Sequence, residues 1–424
     1  MENAGNSPSD SLPARISRVI FLILVASLGL IQIPFTSLNI VATDVIFLIA
    51  GGLWVVLLAL RKLRLRWHSF YWLLFFYFVA LFVSCCFSSN SRASFEHLPA
   101  QIYLMGLCVL TFNMVGSLDD IRRCAHAWLI GTSFAAVVGL LTIGLFYLSP
   151  QNWLLDLLTY HYGAVPVGDY PRITGTFVSA SMFCNYLNAS MMLAYAAKAA
   201  RWLKANLAWP LITALFVCSM FTISIGLGGV FLGIGIWFWY VAGQRRPVES
   251  QIALATGITI AVAFIFLSVF ALSPYPGGSV IGTIPFTNFP IMASGRVLVW
   301  RDAIQTFIEY PLVGKGLGLP VANVIFPNSE GSLSLLTDAH NSFLSVASQN
   351  GILGFVAFGM ITFFLVRRWS SVNSVKPIMF GAGLALLCSF VYQGLTSSFE
   401  DARHLWVLIG IFLAAENIET KGAS

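Results

Sequence analysis

Among the residues able to do chemistry, His340 stands apart. It lies in TDAHNSFLSVASQNGILG, Thr337 to Gly354, where a polar stretch gives way to an apolar helix rich in small residues. Imidazole titrates near neutral pH, so a histidine there can serve as a general base. Thr337 or Asp338 is the expected helix cap, which puts His340 at the positive end of the helix dipole. That field disfavours imidazolium and keeps the neutral base available. Asn341 follows directly, and Ala347, Gly351 and Gly354 read as a small-residue stripe that lets another helix approach. By position alone, an amphipathic interface histidine is a commoner reading of His340 than a base. Two arginines expected on the same side favour the base.

Arg296 opens SGRVLVWRDAIQTFIEYPLVGKGLG, which reads as a capped amphipathic helix followed by a glycine-rich turn. Val297, Trp300, Ile304, Phe307 and Ile308 recur at helical spacing, with Arg301, Asp302, Gln305 and Glu309 opposite them. Ser294 is the expected cap, and Pro311 helps end the helix. Such a helix is expected to lie at a membrane surface, with Arg296 in its first turn, where a guanidinium can fork onto phosphate oxygens. Arg301 has two readings, a further substrate contact or a snorkelling interface arginine. Lys315, in GKGLG, lacks the full GxxxxGK[ST] pattern and reads as a turn residue with a secondary anion contact.

The second arginine, Arg172, sits in GDYPRITGTFVSASMFCNYLN after Tyr170 and Pro171. So close to hydrocarbon it needs a partner or a wet cavity. Asp169 is the acidic neighbour, and an anionic ligand is the natural partner. Tyr170, Asp338 and the SSFEDARH segment, Ser397 to His404, are secondary candidates. Arg92, Glu400, Arg403 and His404 read either as a salt-bridged rim or as substrate contacts. Two fixed cations and one base are what glycosyl transfer from a lipid pyrophosphate requires: the base takes the acceptor hydroxyl proton while the cations stabilise the departing pyrophosphate. No outside carboxylate pair has the Asp-x-Asp spacing of a divalent-metal site, and Asp119 with Asp120 falls on the expected cytoplasmic side. Arginine would do the metal's work, and no cofactor is expected.

These residues must be held by a membrane scaffold. Of 424 residues, 58% are hydrophobic and 9% charged, and the mean hydropathy is +0.83, far from a soluble domain at roughly 25% charged. All seven cysteines fall in apolar runs, which argues against a disulfide framework or a metal cluster. Segments long enough to span occur at approximately 16–33, 40–60, 67–87, 97–116, 121–148, 180–200, 207–223, 228–243, 251–273, 342–366, 377–396 and 402–416, with a corner at SIGLGG, Ser224 to Gly229. With the N-terminus inside, seventeen of the 23 Lys and Arg residues fall inside, which is the asymmetry of twelve spans with both ends cytoplasmic. The basic balance is thus mostly topology and calls for no nucleic acid. Positively charged Arg15 and Arg18 precede the first span, which reads as retained rather than cleaved. The reading is an all-α polytopic integral membrane protein, one transmembrane domain over 1–424, with a shorter extracytoplasmic loop at 149–179 and a large one at 274–341 that contains short amphipathic helices.

The residues quoted above carry a resemblance. His340, Asn341, Gly351 and Gly354 fit the pattern H-[NSQ]-x9-G-x-x-G, and with Gly295-Arg296 and PRITGTF around Arg172 the chain resembles the O-antigen ligase family, bacterial inner-membrane glycosyltransferases of GT-C-like architecture. The resemblance implies transfer of O-polysaccharide from undecaprenyl pyrophosphate to a sugar hydroxyl of lipid A-core at the periplasmic face, without nucleotide or metal. It implies His340 as base and Arg172 and Arg296 on the pyrophosphate. The chain departs from the family in placing Ile225 after Ser224, where many relatives have arginine. A polymerase or a protein O-oligosaccharyltransferase would use the same lipid-linked donor, while a transporter for an anionic lipid should show charges deeper in the bundle, where Asp44 is the plain candidate.

Overall fold

The structure, a computed structural model, describes residues 12–30, 32, 40–159, 170–243, 245–271, 280–283, 290–327, 333–370 and 377–422. Asp169 and Lys376 lie outside them. Helices occupy each apolar segment read from the sequence: α1 (Leu12–Ser27), α2 (Ala42–Ala59), α3 (Phe70–Cys86), α4 (Ser91–Met114), α5 (Leu118–Leu148), α7 (Ala180–Ala199), α8 (Ala205–Phe221), α9 (Leu227–Ala242), α10 (Pro247–Val269), α12 (Ser342–Ser370), α13 (Pro377–Leu386) and α14 (Arg403–Gly422). The short α6 (Leu154–Leu158) and α11 (Gly295–Glu309) lie between them. Five stretches, α2, α5, α10, α12 and the helical run 377–395, are long and apolar enough to cross a membrane.

Burial sorts these helices into layers. Only 17% of the apolar window of α2 or of α10 is covered by protein, against 83% for the 377–395 run. Helices that are apolar all round yet uncovered belong where lipid, not water, is the solvent. At the centre, α7 and α14 are buried on nearly every face, and they bring polar groups with them. Several of those groups pair internally, as most polar groups removed from water do. Trp128 Nε1 donates to Ser190 Oγ at 2.8 Å, Asn185 Nδ2 to the Ser389 carbonyl at 2.7 Å, and His404 Nε2 lies 2.6 Å from Asn185 Oδ1. Close approach falls to glycine where backbones meet: Gly235 and Gly257 bring α9 and α10 together at distances a side chain would forbid.

The SIGLGG corner forms as read, with α8 ending at Phe221 and α9 starting at Leu227. The run after α13 does not stay α-helical. It widens into a π-helix over Leu387–Tyr392 and tightens into a 3₁₀ turn over Gln393–Leu395, a local unwinding that often marks functional segments. The all-α reading needs one amendment. The 274–341 region contributes small antiparallel sheets, β1 (Phe270–Ala271), β3 (Pro290–Ala293) and β2 (Val280–Thr283) in that order, and a β4–β5 hairpin (Val324–Pro327 with Leu333–Leu336). These strands are too short for their alternation to register against an apolar background.

Within that region α11 buries Val299, Ala303 and Thr306, not the larger apolar side chains expected to define its working face. Ile304 and Ile308 point away from the protein. The helix therefore seats its smaller side chains on its neighbours and leaves bulky aliphatic groups outward, as an interfacial helix does.

Candidate active site

The backbone of His340 is in the left-handed region, with φ 47°, where non-glycine residues are uncommon and persist only when their surroundings hold them. Asp338 does the holding. Its Oδ2 accepts the His340 amide at 3.2 Å and lies 3.3 Å from His340 Nδ1. Its Oδ1 accepts from Ser398 Oγ at 2.9 Å. Burial acts to raise the Asp338 pKa, but the contacts from His340 and Ser398 outweigh it and keep the carboxyl below its ordinary range. An aspartate on one imidazole nitrogen fixes the tautomer and leaves the other nitrogen to act as base. The His340 side chain is 38% exposed, so that nitrogen is not walled off.

The helix cap falls one residue after the histidine. Asn341 Oδ1 accepts from the amides of Phe343 at 3.0 Å and Leu344 at 3.1 Å, taking the role expected of Thr337 or Asp338. Asn341 Nδ2 then donates to the Leu395 carbonyl at 3.0 Å, and Ser342 Oγ accepts the Phe399 amide at 2.8 Å. The histidine turn is thereby tied to the 3₁₀ end of the α13 run.

Gly351 also has a different role from the one its spacing implied. At φ 63° and ψ −164° it breaks α12, and an added Cβ would overlap the Leu312 carbonyl. The loop 311–316 supplies the missing bonds: the Lys315 amide donates to the Ser348 carbonyl at 3.0 Å, the Gly316 amide to that of Gln349 at 2.9 Å, and the Ile352 amide to that of Pro311 at 2.8 Å. The glycine admits a loop, not a second helix. Lys315 is a turn residue, as read, and its Nζ donates to the Pro320 carbonyl at 2.6 Å.

Arg296 occupies the first turn of α11, whose Ser294 cap gives its hydroxyl to the Ser268 carbonyl at 2.6 Å at the end of α10. Along α11, Ala303 packs with Val321, Ala339 and Leu344, so the helix bearing Arg296 rests on the residue next to His340. Seven residues at 1.5 Å each set Arg296 about 10 Å along the axis from that contact. Arg301 is exposed and lies 3.5 Å from Asp302. Arg172 Nε donates to the Thr222 carbonyl at 3.2 Å, and Ile173 donates to the Phe221 carbonyl at 3.0 Å, seating the segment on the α8–α9 corner. From that corner Gly226 accepts from Gln393 Nε2 at 2.7 Å. Gln393 begins the same 3₁₀ turn whose Leu395 holds Asn341. Both arginines thus sit on elements that lead to the histidine turn. Tyr170 immediately precedes the seated segment and is partly buried.

Around SSFEDARH the arginines are salt-bridged, one of their two readings, but to separate partners. Arg92 faces Glu96 on its own exposed helix turn, at 3.6 Å. Arg403 forks onto Asp44 at 2.6 and 2.8 Å, which pairs the carboxylate in the first turn of α2. His404 is buried on Asn185. Glu400 turns into a cavity of about 310 Å³ whose lining includes Asp338, Gln101, Asn350 and Asp401. Burial, with the nearby carboxyls of Asp401 and Asp338, pushes Glu400 up to about 8. Gln101 and Asn350 carried no sequence signal, being single polar residues on separate helices. Among the described residues no group of three or more His, Cys, Asp or Glu is arranged to hold a metal ion, and all seven cysteines are free.

Apolar helices uncovered at the periphery and polar groups paired at the centre define a multi-pass helical membrane protein. A family model described as O-Antigen ligase matches residues 209–359, which takes in the α8–α9 corner, Arg296 and the histidine turn. The O-antigen ligase of Pseudomonas aeruginosa is 26% identical over 384 residues, covering 87% of this chain and 82% of the relative. These matches make the chain similar to the O-antigen ligase family, with the family model confined to the stretch from α8 into α12.

Proposed function

We propose that the protein transfers O-polysaccharide from undecaprenyl pyrophosphate to a sugar hydroxyl of lipid A-core. It would do so from the periplasmic face of a bacterial inner membrane that it crosses twelve times with both termini cytoplasmic. The observation that carries the reading is the Asp338–His340 pair, held in a left-handed turn at the head of α12 with the imidazole partly exposed. In this scheme His340 takes the acceptor hydroxyl proton as the oxygen attacks the anomeric carbon. The bond from that carbon to the pyrophosphate oxygen breaks, and the leaving pyrophosphate is met by the guanidinium groups of Arg172 and Arg296.

The 149–179 and 274–341 segments are the periplasmic loops of this scheme, and the outward Ile304 and Ile308 of α11 meet lipid. The exposed Arg301 and Arg92, already facing carboxylates, are outside the reacting centre. A polymerase would share the donor chemistry and differ in the acceptor. The experiment is the lipopolysaccharide profile of cells lacking the protein, complemented with wild type or His340→Ala. Bare core with polymer accumulating on the lipid carrier, unrescued by His340→Ala, is the expected result. Core carrying a single repeat unit identifies a polymerase, and an unchanged ladder removes both readings.

A further inference from the structure

Three buried side-chain oxygens on residues that line the cavity beside the histidine turn have no hydrogen-bond partner: Gln101 Oε1, Asn350 Oδ1 and Glu400 Oε2. The residues that bear them are 6%, 2% and 9% exposed. A buried acceptor without a donor is costly, and three around one space point to a ligand that brings donors. They come from α4, the middle of α12 and the segment before α14, so the space is built by tertiary packing.

The orientation of Gln101 is fixed, because its Nε2 donates to Asp401 Oδ1. The Asn350 backbone is set by the break at Gly351. Gly318 forms part of the wall, where its amide donates to Gln349 Oε1 at 2.8 Å and it packs on His97. At about 310 Å³ the cavity reaches the lower end of small-ligand pockets, roughly 300–1,000 Å³.

The lining selects among ligands. An anion is repelled by the carboxylate of Asp338, and the carboxyls are not arranged to ligate a metal ion. Hydroxyl groups both donate and accept, and they match amide oxygens together with a Glu400 carboxyl that burial keeps protonated near neutral pH. Asp338 forms part of the wall and its other face holds His340, so a sugar in the cavity lies one carboxylate away from the imidazole.

We propose that this cavity is a pyranose subsite in which sugar hydroxyls donate to the oxygens of Gln101, Asn350 and Glu400. The proposal rests on the transferase reading for which saccharide enters, and the sugar belongs either to the acceptor core or to the donor polysaccharide.

The test uses the full chain in membranes, with exposed Cys86 replaced by Ala and Ser398→Cys placed in the cavity wall. A methanethiosulfonate reagent labels the new thiol in the presence of core oligosaccharide freed from lipid A, or of O-polysaccharide freed from its carrier. Protection by either saccharide supports the subsite and names its source. Labelling unaffected by both means the cavity holds water only, and no labelling means it is closed; each overturns the proposal. With purified protein, Gln101→Met and Glu400→Met are expected to raise KM for that saccharide substrate about tenfold while kcat stays within about threefold. Unchanged KM in folded variants counts against the subsite. Protection without transfer by the wild-type protein would discard the ligase reading and keep the subsite.

Discussion

Asp338 Oδ2 meets His340 twice, at the backbone amide and at Nδ1. One carboxylate oxygen therefore fixes both where the chain turns and which way the imidazole faces. Asp338→Asn is expected to lower kcat by about 10²–10⁴ with little change in KM, the range for an impaired general base. The pH–rate profile separates positioning from mere structure: its limb for the base should shift in Asp338→Asn and return toward wild type in Asp338→Glu.

Stability should report the same pair. The Asp338 carboxyl is held below its ordinary range in the folded protein, so its ionised form stabilises the fold above the unfolded value of about 3.9. That contribution is lost as pH falls through the lower folded value. Thermal midpoints of wild type and Asp338→Asn in detergent should differ at pH 6 and converge toward acid pH.

Glu400 has the opposite sign. With a folded value near 8 it is bound as the acid, so its stabilising contribution is complete below the unfolded value of about 4.3 and is lost as pH rises through about 8. Relative to Glu400→Gln, the wild-type protein should lose thermal stability as pH rises from about 5 to about 8 and level off above it. A constant difference across that range would show that Glu400 does not titrate there.

Gly351→Ala should destabilise the protein by about 1–3 kcal/mol from backbone conformation alone, with overlap at the Leu312 carbonyl adding to it. Gly359→Ala, on the same helix with nothing near the added Cβ, is the control and should leave the thermal midpoint unchanged or raised.

Lys315 and Arg296 should separate cleanly. Because Lys315 Nζ is occupied by the Pro320 carbonyl, Lys315→Met should change the KM for the lipid-linked donor by less than about threefold. Arg296→Lys should lose most activity, because a point charge does not reproduce the bidentate fork on phosphate. Equal losses in the two variants would remove the distinction.

The helices and the α8–α9 corner were legible because hydropathy reports burial in lipid directly. His340 was legible through its polar setting, whereas Arg403 as the partner of Asp44 was not, the two lying far apart in sequence. The cap was misassigned because Thr337, Asp338 and Asn341 have the same local chemistry, and only the left-handed turn at His340 puts the start of α12 after Asn341. Gly351 carried a pattern shared by helix packing and helix breaking. Gln101, Asn350 and Glu400 converge only once α4, α12 and the segment before α14 pack, a relationship of long sequence separation that no local periodicity encodes.

The break at Gly351 divides α12 in two. On both sides of it the helix is bonded to the same loop, Ser348 and Gln349 accepting from Lys315 and Gly316 while Ile352 donates to Pro311. The loop therefore acts as a splint across the break, and the two halves of α12 keep a fixed angle only while it stays in place.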